Sequence, residues 1–423
     1  MRGKLGAACL ALALLASPAS AQKFYPDDPL EKVPPLWPTT DPRTRALSSI
    51  LELFNNTLGS PGERHPDRGV IPAGGVNTMG EVMDGPWFEN RHARYHYSAE
   101  GLKRGPGDDK PPAEGRWKVL TVKKFGFRPG MLIADATGQI YLLRFDPKGW
   151  MEMATGAEMV SSKFFYALGY YVPENYIVYF DRERLKLADG SERITSSGGT
   201  QDMIEQDIDV FLNDVARDPE RGYRAVASRV AVSWEAILGP YQVFGNRSDD
   251  PNDIVPHEHR RDQRGLFVFA SWLNHNRMGA VYTMDALMVR NDVPIIRHYL
   301  IDFYATLGSG GTEPKKSWRG NEKVYDFGQT FKNIAGMGVY TPRWMRTKFP
   351  KYRSVGRFQY ETFEPDRWKA DASIAPFANR LPDDTYWAAK QVMAFSDEDI
   401  RALVSTGQYS DPRAEAWIVE TLI

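Results

Sequence analysis

The chain has 423 residues, 42% of them hydrophobic and 25% charged, with a formal net charge of −1 from 53 Lys and Arg against 54 Asp and Glu. This is globular composition, long enough for one large domain or two moderate ones. The charge balance leaves no basic excess for nucleic acid, and the single cysteine excludes a disulfide framework.

The N-terminus reads as a targeting segment. Arg2 and Lys4 are positive, LGAACLALALLA is apolar, and Ala19 and Ala21 form an A-x-A pattern before Gln22. A cleaved secretory signal over 1–21 is expected, and with it a secreted or periplasmic protein. Cleavage would remove Cys9 and take the net charge from −1 to −3. No later stretch reaches about 18 consecutive apolar residues, so the mature chain is expected not to span a membrane.

Residues 22–45 are proline-rich and predict an extended arm. TRALSSILELFNNTLGS predicts a short amphipathic helix. Residues 59–115 are rich in Gly and Pro and end in GPGDDKPPAEG, an exposed loop; 22–115 together read as an arm and cap. WKVLTVKK predicts a strand, and GMLIADATGQIYLLRFDP a hairpin around the turn DATG. A helical period at Met159, Val160, Phe164, Phe165 and Leu168 follows, with Gly169 as a stop. VPENYIVYF returns to strand. Residues 116–180 therefore form a small strand-and-helix lobe.

Residues 204–245 read as largely helical. RSDDPND (247–253) reads as a solvated turn with Asx hydrogen bonds rather than a Ca²⁺ loop, because it lacks the EF-hand spacing. A helix starts near Pro256. VYTMDALMVRNDVPIIRHYLIDF predicts a hairpin around RNDVP. The tail from 382 is helical, SDED (396–399) fits a capping box, and the chain ends within a helix. Residues 181–423 are expected to form a mainly helical second lobe.

Asp302 ends the apolar run of the hairpin. On a strand it shares a face with His298, so a His–Asp hydrogen bond is one reading. The other is a metal ligand, since Mg²⁺ takes one or two carboxylates plus phosphate oxygens. His257 and His259 share a face only on a strand; on a helix they diverge by about 200°, and a helix start is favoured over a metal pair.

The order of small lobe, helix and buried hairpin ending in DF resembles the protein-kinase-like fold, in the branch holding HipA-type, CotH-type and phosphatidylinositol kinases. More closely, DDPNDIVPHEHRR, ASWLNH and HYLIDF…TLGSG resemble a family of secreted bacterial proteins of uncharacterised function, over most of the chain from about residue 80. The kinase resemblance implies a two-lobed α+β fold, with Arg144 where a strand Lys holds the nucleotide phosphates, Glu158 as its helix partner and Asp302 as the Mg²⁺ ligand. An ordinary strand-to-helix salt bridge is the alternative for Arg144 and Glu158. In the catalytic-loop register, Arg277 stands where the Asp belongs and Tyr282 where the Asn belongs; neither can do that chemistry. Asn276 and Asp285 are nearby candidates in a shifted register. FGFRPG (125–130) lacks a phosphate-cradling glycine pattern.

Three functions follow from the resemblance. One is a pseudokinase-like protein that binds a small molecule or partner protein in the interlobe cleft. A second is an active atypical phosphotransferase using Mg²⁺ and ATP. The third is a structural cell-envelope protein whose 11 Trp, 20 Tyr and 21 Phe fill the cleft.

Overall fold

A computed structural model describes residues 35–46, 51–52, 55–59, 61–62, 71–123, 129–195, 199–324 and 343–423. The stretch expected to be a targeting segment, with Cys9, the first part of the expected arm and Gly126 lie outside the described residues.

The chain is mixed α and β. Its larger sheet has eight strands: β1 (Trp117–Lys123), β2 (Gly130–Ala134), β3 (Ile140–Phe145), β4 (Asn175–Phe180), β5 (Leu185–Ile194), β6 (Thr200–Asp202), β7 (Arg217–Asp218) and β8 (Gly222–Arg229). They lie in the order β4-β8-β3-β2-β1-β5-β6, with β7 beside β8. The β1–β5 pair is parallel and the other pairs are antiparallel. Alternation decides the faces. Met131, Ile133, Tyr141 and Leu143 point into one core with Trp117 and Phe180. That face is closed by Ile208, Phe211 and Leu212 of a helix over Glu205–Leu212.

The opposite face carries the helix over Met153–Ala167, buried almost all round. The expected apolar set is buried, and Gly169 follows with φ +114°. Two helices are thus defined, α1 (Met153–Ala167) and α2 (Glu205–Leu212). The sheet extends past residue 180, because 185–229 supply four of its strands. Residues 204–245 are corrected accordingly. Only α2 is helical there, followed by β7, β8 and β9 (Trp234–Gly239).

The second core packs α1 against α3 (Arg261–Trp272), α4 (Pro382–Val392), α5 (Asp397–Ser405) and α6 (Pro412–Leu422). Phe165, Phe269, Trp387, Leu403 and Ile418 are buried there. The capping box forms as expected: Ser396 Oγ accepts from Asp399 N at 3.2 Å and Asp399 Oδ2 accepts from Ser396 N at 2.9 Å.

A three-stranded sheet, β11-β10-β9, adds β10 (Thr283–Arg290) and β11 (Val293–Leu300). The hairpin is the one the sequence predicts. Asn291 and Asp292 form its two-residue turn with φ 48° and 63°, the primed geometry that matches strand twist. The described arm, 35–46, has no regular structure and lies along this sheet: Thr39 N donates to Pro294 O at 2.8 Å and Arg45 N to Leu238 O at 2.7 Å.

Candidate functional site

Three of the residues singled out in the sequence come together. Arg144 sits on β3, Glu158 on α1 directly after it, and Asp302 just beyond β11. Asp302 adopts a left-handed conformation, φ 66° and ψ 66°, which Asp tolerates better than most residues. The turn aims its carboxylate at Arg144, and Arg144 Nη2 forms an ion pair with Asp302 Oδ1. The loop after Asp302 is fastened to α1: Phe303 stacks on Phe165 at 4.9 Å, and Thr306 Oγ1 lies 2.6 Å from Ser161 Oγ.

Glu158 lies in the same cluster, fully buried. Burial and the neighbouring Asp302 charge push its carboxyl up to about 8, with Arg144 and the amides of Tyr304 and Phe303 pulling the other way. Burial thus favours the neutral form of Glu158, beside a guanidinium that faces the Asp302 carboxylate.

Beside this cluster opens a cleft of about 310 Å³. Phe145, Phe211, Val215 and Val226 form apolar walls; Lys148, Thr155, Asp214 and Thr312 supply polar groups; Tyr304 and Pro129 close the sides. A volume near the lower end of small-molecule sites with mixed lining suits a compact ligand. Arg144 lines the cleft with its side chain 15% exposed, whereas Asp302 does not line it and is 2% exposed. Arg144 thus presents the pair to the cavity.

The residues present do not suit a resident Mg²⁺. The charge of Asp302 is already met by Arg144, and a hard cation would have to displace a guanidinium to reach it. Among the described residues no group of three or more His, Cys, Asp or Glu converges on a metal-sized point.

Asn276 and Asp285 lie outside the cleft lining. Asn276 Nδ2 donates to Asp371, which also pairs with Arg319. Asp285 is fully buried on β10, with Oδ2 2.8 Å from Arg247 Nη1 and Oδ1 2.7 Å from His298 Nδ1. His298 and Asp285 are direct cross-strand partners, so the reading that paired His298 with Asp302 is corrected. Of the two catalytic-loop positions, Arg277 reaches the cleft wall, donating to Tyr304 Oη at 3.1 Å.

The histidine pair is structural. His257 uses both ring nitrogens, one on Gln242 O and the other 2.7 Å from Asp253 Oδ2. His259 Nδ1 lies 2.7 Å from Arg264 Nη2. The 247–253 turn makes the expected Asx bond, Asn252 N to Asp250 Oδ1 at 3.0 Å, yet it is not solvated: Asp250 and Asp253 are buried. Its carboxylates face inward and also hold the arm, as in Arg43 N to Asp249 Oδ2 at 2.7 Å.

Sequence reasoning missed the frame behind the cleft. Asp146 accepts from Glu152 N, Ala154 N and Thr155 N at 2.8–2.9 Å and from Thr155 Oγ1 at 2.6 Å, capping α1 from seven residues upstream of Met153. Arg224 of β8, fully buried, donates to Thr155 Oγ1 at 2.8 Å, Tyr179 Oη at 3.0 Å and the carbonyls of Gly407 and Gln408. Asp146 stands in the run RFDP beside Arg144, but a cap reaching over a loop has no local pattern. Comparison with known proteins returns no family model, no curated protein and no solved structure that matches the chain.

Proposed function

We propose that the chain is a kinase-like protein that binds a ligand in the cleft beside Arg144 without efficient phosphoryl transfer. The arrangement supports the resemblance in three places: a cation on the third strand, a carboxyl on the following helix, and an Asp after a buried hairpin that follows a helix and loop. The observation that carries the impaired reading is the Arg144–Asp302 pair. It neutralises both the phosphate-binding cation and the metal-binding carboxylate. Arg277, in the general-base register, is held by Tyr304 and cannot accept a proton from a hydroxyl.

An active enzyme in a shifted register would need Asn276 or Asp285 at the cleft, and both are committed elsewhere. A purely structural role would leave the cleft filled, and a cavity of about 310 Å³ argues against it. The cavity instead favours a ligand with an apolar body and an anionic group near Lys148. The expected targeting segment would carry the protein out of the cytoplasm into a compartment that holds little ATP, which agrees with this reading.

The test is transfer of labelled γ-phosphate from ATP with Mg²⁺ to the protein itself, to water and to generic protein acceptors. Rates equal to those of Asp302→Ala are expected. Transfer that Asp302→Ala abolishes would overturn the proposal.

A further inference from the structure

The chain as a whole is close to neutral, yet one surface segment is not. Residues 343–360 hold no Asp or Glu. Between 346 and 357 every exposed residue is Lys or Arg: Arg346, Lys348, Lys351, Arg353 and Arg357. The residues between them turn inward. Val355 and Phe358 are buried in the second core, and Tyr352 packs against it. Thr347 Oγ1 lies 2.9 Å from Thr362 Oγ1, Arg357 N donates to Gly308 O at 2.9 Å, and Trp417 Nε1 donates to Phe358 O at 2.9 Å. The segment is thereby fastened along its inner side, and its charges stand outward.

These charges are not spent on carboxylates nearby. Arg346, Lys348, Lys351 and Arg353 form no ion pair among the described residues. Arg357 gives one N–H to the carbonyl of Lys315 at 2.7 Å and keeps the rest of its guanidinium exposed. Arg353 also lines an open cavity of about 470 Å³ together with Lys148 and Arg217, and no carboxylate lines it. Arg217 is shared with the exposed Asp181, 3.3 Å away, whereas Lys148 forms no ion pair among the described residues. In a chain of net charge −1 this is a local concentration of positive charge, not a property of the whole surface.

We propose that this face docks on an anionic lipid surface, with lipid phosphates set against the five cations. Clusters of basic side chains are drawn to such bilayers, each Lys or Arg near the surface strengthening binding about fivefold. The rings that stand among the cations, Phe349 and Tyr352, are half-buried, so the segment offers no platform on which nucleic-acid bases could stack. Exposed Met345, Tyr360 and Phe363 flank the cations instead and supply apolar groups for the headgroup boundary. The proposal does not rest on the reading given to the Arg144 cleft.

The test is co-sedimentation of the protein with phosphatidylcholine vesicles made with and without phosphatidylglycerol. Binding to the anionic vesicles is expected at low salt and is lost at about 1 M salt, where charges are screened within a few ångströms. The double variant Lys348→Gln, Lys351→Gln should bind about twenty-five-fold more weakly, fivefold for each charge. Its thermal midpoint should match the parent's, because both side chains are exposed and unpaired. If that midpoint shifts, Arg346→Gln with Arg353→Gln carries the same test. Equal binding to vesicles without phosphatidylglycerol, parent-like binding by the variants, or binding to duplex DNA or an oligogalacturonate as tight as to the anionic vesicles would overturn the proposal.

Discussion

Arg144 and Asp302 hold each other where neither is well hydrated, so the pair is worth most when whole. Replacing Arg144 by Met leaves a carboxylate buried without its counter-charge. A loss of about 3 kcal/mol is expected in urea unfolding, and adding Asp302→Asn should restore much of it. A single variant as stable as the parent would show that the pair does not hold the site. Glu158 gives a pH signature. Its carboxyl, raised to about 8 in the folded chain from an ordinary 4.5, keeps its proton when the unfolded chain has lost it. Its contribution is fully present below about 4.5 and is lost as pH rises toward 8. Unfolding measured across that window should therefore show a downward slope that Glu158→Gln flattens; identical slopes would contradict the assignment. Asp302 was legible because it ends the apolar run of a predicted hairpin; Arg144 and Glu158 were reached through the kinase-like resemblance, which points to a cation on the strand and a carboxyl on the next helix. Arg224 was not: its partner Thr155 lies 69 positions away, and nothing local marks an arginine as buried.

At the scale of elements, the strongest local signals survive folding intact. The two-residue turn at Asn291 and Asp292, the Ser396 capping box and the apolar period of α1 all form where the sequence puts them. Ser396→Ala should cost about 1 kcal/mol, read as a shift in the denaturation midpoint without a change in its slope. The 204–245 region misled because GYRAVASR is rich in alanine and arginine, residues that favour helices. β8 lies between β4 and β3 with α1 over one face and α2 over the other. Small side chains at Ala225 and Ala227 and a buried Arg224 held by four hydrogen bonds are what that position accommodates, so tertiary packing outweighs propensity.

The whole molecule joins parts that are distant in sequence. The arm closes over a buried charge network in which Arg247 meets Asp285, Asp249 and the carbonyl of Arg43. Starting the chain at residue 47 would remove that carbonyl and the strand-edge contacts of Thr39 and Arg45. A loss of roughly 2 kcal/mol is expected from unsatisfied buried donors, with ligand binding in the Arg144 cleft retained. The central claim is that the cleft is closed to a metal–nucleotide complex by its own ion pair. It is tested most directly by thermal unfolding of the protein with millimolar ATP, with and without Mg²⁺, beside Asp302→Ala. Binding to the folded state at about a hundredfold excess over Kd would add roughly 2.7 kcal/mol. The account predicts no Mg²⁺-dependent rise in either protein; a rise in the parent that Asp302→Ala loses would contradict it.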